Sequence, residues 1–105
     1  MGMILTARRV DAAEGHALGF VHEVVPADEL MAAARKLAET MLTLSPMSLR
    51  ASKQTVQRGL DEPTLAEAYA AQDRYPAVKA LFRSKDSREG PLAFAQKRQP
   101  KWTGK

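Results

Sequence analysis

Glutamate and histidine are the residues of this chain best suited to acid–base or metal chemistry. The chain has two histidines, His16 and His22, and no cysteine. Neither histidine has acidic neighbours at metal-ligand spacing, so we predict no metal site. The glutamates are dispersed and no two form an evident buried pair: Glu14, Glu23, Glu29, Glu39, Glu62, Glu67 and Glu89. We therefore predict that none of these histidines and glutamates is catalytic.

Positive charge is concentrated towards the C-terminus. The chain carries 16 Lys and Arg against 12 Asp and Glu, a formal net charge of +4. Half of these cations lie after position 78: Lys79, Arg83, Lys85, Arg88, Lys97, Arg98, Lys101 and Lys105. A basic surface attracts anions of many kinds. We expect any anionic ligand to bind at the C-terminal end.

Length and composition indicate a water-soluble, mostly helical chain. The 105 residues are 45% hydrophobic and 27% charged, and they are rich in alanine and leucine. This composition favours helices over sheet. No apolar run approaches the roughly 20 residues that span a bilayer. We expect a cytoplasmic location and no membrane partner.

The N-terminal elements that would position any site are short. Asp11 followed by Glu14 predicts a capped helix through Leu18, which Gly19 ends in a left-handed conformation. The apolar, β-branched segment 20–25 lies between Gly19 and Pro26, and it is the one good strand candidate.

Three longer helices are expected in the remainder. Asp28 is predicted to cap the first, whose apolar stripe is Leu30, Ala34, Leu37, Met41 and Leu44. Ser45-Pro46 is predicted to start the second, which runs to Arg58, ends at Gly59 and turns Leu49 and Val56 inward. The third is predicted from Pro63, with Leu65, Ala68 and Tyr69 on one side.

The C-terminal third contains two proline signals. Tyr75-Pro76 should break the third helix, and a short apolar face of Val78, Leu81 and Phe82 follows it. Gly90-Pro91 lies inside the helical charge pattern of the tail, so we predict a distorted or restarted helix there.

The last residues carry the most specific pattern: an acidic pair before Gly90, then Phe94, Lys97, Arg98, Pro100, Trp102 and Gly104. This pattern resembles the C-terminus of the crotonase family, the enoyl-CoA hydratases and isomerases. Further matching segments lie in the family's order: 5–9, 19–26, the helix around Leu30, and Ser45-Pro46 leading to Lys53. Two departures are Ala7 and His22, where the family usually has Gly and Asn.

The resemblance implies a fold and a reaction. The expected fold class is mostly α, the C-terminal helical region of a crotonase-like α/β spiral fold, with residues 1–26 as the end of its core. In the family, the oxyanion hole and the two glutamates that hydrate α,β-unsaturated acyl-CoA precede Met1 in order. We therefore expect this chain to be a C-terminal fragment that is inactive alone.

The resemblance also implies two ligand-contacting residues. Phe94 and Lys97 match positions where family members contact the coenzyme A nucleotide, commonly from a neighbouring subunit. An aromatic wall and an ammonium suit a purine and its phosphates. No permanently bound cofactor is expected, since coenzyme A enters as part of the substrate. Residues 27–105 are thus expected to contact coenzyme A and to form a homo-oligomer.

Two other classes of function are compatible with a basic, helical chain. A nucleic-acid binder would use the basic face of the second helix, which contains Arg50, Lys53, Gln54, Gln57 and Arg58. The chain lacks asparagine and any recognised binding motif, so we expect no nucleic-acid partner. A helical self-association module without catalysis is the second alternative, because unburied apolar faces seek partners.

Overall fold

The computed structural model describes all 105 residues, and every regular element is helical. The mostly-α prediction is confirmed. The chain divides into two compact units, Met1–Lys36 and Leu37–Lys105. The α-helices are α1 (Gly2–Thr6), α2 (Ala12–Ala17), α3 (Leu30–Leu42), α4 (Pro46–Gly59), α5 (Leu65–Gln72), α6 (Pro76–Arg83) and α7 (Asp86–Ala95), with a 3₁₀ turn at Ala27–Glu29.

Helix α2 has the predicted caps. The Asp11 carboxylate accepts a hydrogen bond of 2.8 Å from the Glu14 backbone N–H, which satisfies one of the free amides of the first turn. Gly19 follows the helix with a φ of +85°, a left-handed conformation that glycine adopts without a steric penalty. Both ends of this short helix were therefore readable from sequence.

The predicted strand at 20–25 is wrong. The backbone N–H groups of Phe20 and Val21 both donate to the Gly15 carbonyl at 3.2 Å, so the chain folds back on α2. A strand needs a paired partner for its alternating backbone groups. None of the 105 residues is in a strand, so this segment remains irregular.

Ala7 occupies a position that suits glycine. It caps α1 with a φ of 51°, in the left-handed region. Glycine enters that region freely, whereas a side chain adds steric strain. This conformation gives a physical reason for the glycine that the crotonase pattern usually has there.

The start of α3 differs from the prediction. Asp28 lies inside the 3₁₀ turn Ala27–Glu29 and is not a helix cap, since the turn leads directly into Leu30. No residue of α3 is buried, and Leu30, Leu37, Met41 and Leu44 of its apolar stripe are exposed. The predicted amphipathic helix is present, but its apolar stripe remains uncovered.

The second unit has a small core between α4, α5 and α6. Its buried members are Ala51, Ala71, Tyr75 and Val78, with Ala77 and Leu81 packed against them. Leu49 and Val56 were predicted to point inward, but they are exposed. The predicted helix is present, but its inward face was predicted wrongly: the buried residues of α4 are Met47 and Ala51.

Tertiary contacts replace local capping at α6. Pro76 occupies the first helical position, as the break at Tyr75-Pro76 predicted. The free backbone N–H of Ala77 then donates to Gln54 Oε1 of α4 at 2.8 Å. A side chain from another helix thereby satisfies an amide that the helix itself leaves unpaired.

Helices α5 and α7 differ in detail from the predicted helices. Helix α5 starts at Leu65, and Thr64 caps it by accepting from the Glu67 N–H. Helix α7 continues through Pro91 from Asp86 to Ala95 as one element. Gly90-Pro91 therefore does not restart the helix. Pro91 lies inside the helix, where proline has no backbone N–H to donate, so α7 lacks one backbone hydrogen bond at that position. No helix is both long enough and apolar enough to cross a membrane.

Candidate functional site

The two residues predicted to contact a nucleotide lie at the end of α7. Phe94 is in the last helical turn and its side chain is 87% exposed. Lys97 lies just beyond the C-cap residue Gln96 and is also exposed. An exposed phenylalanine gains nothing from the core, so it is available to stack on a ligand or to pack on another protein.

Lys97 has an unusual backbone conformation. Its φ is 52°, and its N–H donates to the Phe94 carbonyl at 3.1 Å. The next N–H, of Arg98, donates to the Ala93 carbonyl at 3.0 Å. These two bonds form a Schellman motif in which the left-handed residue is usually glycine. Lysine therefore occupies a position where its side chain is disfavoured.

A two-pronged ion pair holds the chain after this turn. Arg98 donates from Nη1 to Glu89 Oε1 at 2.6 Å and from Nη2 to Oε2 at 3.0 Å. The backbone N–H of Lys101 donates to the same Oε1 at 2.6 Å. Hydrogen bonds from Arg98 and from Lys101 lower the pKa of Glu89 to about 2. Glu89 is therefore ionised at neutral pH, and its charge is matched inside the fold.

A buried carboxylate anchors the last residues. Asp86 is buried, and Oδ1 accepts from the N–H of Thr103 at 2.8 Å and from its hydroxyl at 3.0 Å. Ser45 Oγ and the Gly104 N–H also donate to this carboxylate. The Thr103 backbone bond is the main cause that lowers the pKa of Asp86. This residue organises the tail and is not open to a ligand.

Trp102 packs the tail against α7. Its indole Nε1 donates to the Thr43 carbonyl at 2.8 Å. A Cβ at Gly90 would lie 3.3 Å from the Trp102 ring, which is tighter than ordinary contact. Gly90 therefore permits the close approach of the indole. Gly90 and Trp102, two residues of the tail pattern, therefore have a structural role in packing the tail.

A shallow basic groove runs beside the first turns of α7. It has a volume of about 440 Å³. The residues that line it include four cations, Arg83, Lys85, Arg88 and Lys101, and two acids, Asp86 and Glu89. Both carboxylates accept hydrogen bonds within the fold. The groove is therefore electropositive, and this end of the molecule attracts anions.

The other candidate residues are not brought together. No group of three His, Asp or Glu residues forms a cluster that could hold a metal. His16 and His22 are exposed in the N-terminal unit. On the basic face of α4, Gln54 bonds to Ala77 and the guanidinium of Arg58 lies 5.7 Å from the Tyr75 ring centroid.

Sequence reasoning missed the anchoring roles of Asp86 and Glu89. The sequence marked them only as an acidic pair before Gly90 and gave no sign of their hydrogen-bond partners. Their partners lie 9 to 41 positions away, and such pairings follow from the fold alone. The left-handed Lys97 was missed because the usual signal is a glycine.

Comparison with known families gives one match over the whole chain. The family described as "Enoyl-CoA hydratase/isomerase" matches residues 1–105. Among curated relatives, the carnitinyl-CoA dehydratase of Proteus mirabilis is 38% identical over 108 residues, which is 98% of this chain and 40% of that protein. The carnitinyl-CoA dehydratase of Escherichia coli K12 is 39% identical over the same shares.

Solved structures give the same match. An enoyl-CoA hydratase from Mycobacterium marinum superposes with a TM-score of 0.87 at 32% identity, over 100% of this chain and 40% of that one. One from Bacillus anthracis gives 0.85 at 30% identity, over 99% and 39%. The chain thus spans about 40% of the length of these relatives, and it matches their C-terminal portion. Within the tail, residues 75–102 resemble carnitinyl-CoA dehydratase in sequence, and the curated relatives confirm that resemblance.

Proposed function

This chain belongs to the enoyl-CoA hydratase/isomerase family, also called the crotonase family, and from that premise we propose that it supplies coenzyme A-contacting helices to an acyl-CoA enzyme. The parent reaction is the reversible addition of water to an α,β-unsaturated acyl-CoA. The similarity to carnitinyl-CoA dehydratase and to enoyl-CoA hydratase supports this reaction class.

The observation that carries the proposal is the exposed end of α7. Phe94 presents an almost fully exposed ring, and Lys97 follows three positions later at the turn. The ring can stack on the adenine of coenzyme A, and the ammonium can pair with a phosphate. The neighbouring basic groove raises the local concentration of such an anion. Neither residue carries out a bond-making step.

Titration with coenzyme A tests the contact. In a ¹⁵N-labelled 105-residue chain, we expect the amide signals of residues 94–98 to shift with a weak affinity, on the order of 1 mM. Lys97→Glu places a carboxylate against phosphate and should weaken binding about tenfold or more. Lys79→Glu makes the same charge change at an exposed lysine of α6 and serves as the control. Wild-type signals that stay fixed, or equal losses in both variants, would remove Phe94 and Lys97 from the site.

Self-association is the second part of the proposal. Residues 27–105 leave many apolar side chains uncovered, among them Val56, Leu60, Leu65 and Tyr69 around a groove of about 300 Å³ between α4 and α5. Several exposed apolar side chains lie together there, and such a patch, unlike a single exposed leucine, favours contact with another protein. A second copy of the chain is the partner that we propose.

A further inference from the structure

Lysine at position 97 disfavours the turn that it occupies. Glycine at the left-handed position of a Schellman motif has no steric penalty, whereas a lysine Cβ is crowded by its own backbone. Strained residues persist where the surroundings hold them, and they occur often at functional sites. Something in this fold must therefore hold Lys97 in place.

The contacts that follow Lys97 are well placed to hold it. Arg98, the next residue, is fixed by both of its terminal nitrogens to Glu89, one turn of helix before Ala93. The backbone N–H of Lys101 donates a hydrogen bond to the same carboxylate. The Glu89 side chain is 18% exposed and that of Arg98 34%, so the pair is partly shielded from solvent. A bidentate pair fixes direction as well as distance.

We propose that Glu89 is a positioning residue for coenzyme A binding: by holding Arg98, it keeps Lys97 in the left-handed turn and its ammonium at the end of α7. Glu89 does not touch the ligand. The inference rests on the proposed function, because Lys97 is the proposed phosphate contact. A flexible turn would let the lysine sample many directions, and ordering it on binding would weaken affinity.

Charge and positioning predict opposite changes in coenzyme A affinity when Glu89 is replaced by glutamine. Glu89→Gln removes a negative charge near the proposed phosphate site, so simple Coulomb attraction would tighten coenzyme A binding. Positioning predicts the opposite result, a dissociation constant roughly fivefold higher, because the freed lysine must be ordered when the ligand binds. Glu23→Gln makes the same charge change at an exposed residue of the N-terminal unit and should leave binding unchanged.

The experiment uses the ¹⁵N-labelled chain with coenzyme A as the titrant. We also expect Glu89→Gln to change the three-bond HN–Hα coupling and Cα shift of Lys97, which report its φ. In a Lys97→Ala background, Glu89→Gln should have no further effect on affinity, since the group that it positions is gone. Arg98→Lys keeps the charge and loses the two-pronged geometry, so it should repeat the effect if Glu89→Gln fails to fold.

The outcomes separate the inference from the proposed function. Weaker binding together with an altered Lys97 coupling supports the positioning role. Unchanged or tighter binding in Glu89→Gln, while Lys97→Glu still weakens binding, overturns the positioning role and leaves the proposed function standing. A wild-type chain that does not respond to coenzyme A overturns the proposed function and, with it, the role of Glu89 in binding.

Discussion

Ser45 donates a hydrogen bond from Oγ to Asp86 Oδ2 at 2.9 Å, and both residues are buried. The same Ser45 oxygen accepts from the Ser48 N–H at 3.2 Å and so caps α4. One hydroxyl therefore connects the start of α4 to the first turn of α7. Through the bonds of Asp86 to Thr103 and Gly104, this connection extends to the C-terminal tail.

We expect Asp86→Asn to lower the Tm of the chain by about 5 °C or more. The amide that replaces Oδ2 is a donor, and the Gly104 N–H that faces it cannot reverse its direction. The result is a buried polar clash and the loss of charge-assisted bonds. Thermal unfolding followed by circular dichroism measures the change.

The matched control is Asp61→Asn, because Asp61 is exposed in the loop after α4. It should change Tm by no more than about 1 °C, as surface substitutions usually do. Equal Tm values for the two variants would contradict the anchoring role of Asp86.

Acid should weaken the tail through Asp86 and Glu89. Hydrogen bonds to each carboxylate lower its pKa in the folded state, for Glu89 from 4.5 to about 2. The unfolded chain therefore binds more protons in acid, so this stabilisation is present above about pH 4.5 and is lost as the pH falls towards 2. Fluorescence of Trp102, the single tryptophan, follows the transition.

Glu89→Gln provides the control for this pH dependence. The variant lacks the titrating group, so its stability should vary less with pH between about 4.5 and 2 than that of the wild type. A pH profile of the same steepness in both proteins would assign the acid sensitivity to other carboxylates.

Lys97→Gly and Lys97→Ala should separate stability from binding. Both remove the ammonium, so both should weaken coenzyme A binding to the same extent. Glycine also relieves the left-handed strain that alanine retains, and it should make the chain more stable than Lys97→Ala by about 1 kcal/mol. Chemical denaturation and NMR titration measure the two effects. If the alanine variant were as stable as the glycine variant, the turn would not be strained.

The uncovered apolar faces predict self-association. Sedimentation should show a mean mass that rises with protein concentration, because Leu60 and Leu65 are 82% and 74% exposed beside the groove between α4 and α5. Leu60→Lys, just after α4, should shift the chain towards monomer, whereas Lys53→Glu within α4 should not. A strictly monomeric wild type at high concentration would refute the proposed homo-oligomer.

The 105-residue chain should not hydrate crotonyl-CoA. Both oxygens of the Glu89 carboxylate accept hydrogen bonds from Arg98, so this group is engaged within the fold. Hydration requires two positioned carboxylates and donors for the developing enolate charge. Loss of absorbance of the conjugated thioester measures turnover, with a complete enoyl-CoA hydratase as the positive control. Appreciable turnover by the chain alone would contradict this prediction.

Local signals made several elements predictable. The caps at Asp11 and Ser45, the left-handed Gly19 and the break at Pro76 all depend on residues within a few positions of one another. Such short-range chemistry is readable from a single sequence. The family and the mostly helical fold were also evident, because the tail pattern is specific and the composition favours helix.

The sequence by itself therefore determined where most helices begin and end and which family the tail resembles. Only the tertiary structure decided that 20–25 forms no strand, that Leu49 and Val56 remain exposed, and that Asp86 and Glu89 anchor the tail. The physical reason is range: a cap needs its neighbours alone, whereas strand pairing, burial and a matched carboxylate need partners distant along the chain. The left-handed Lys97 belongs to the second class, since contacts of the residues that follow it hold its conformation.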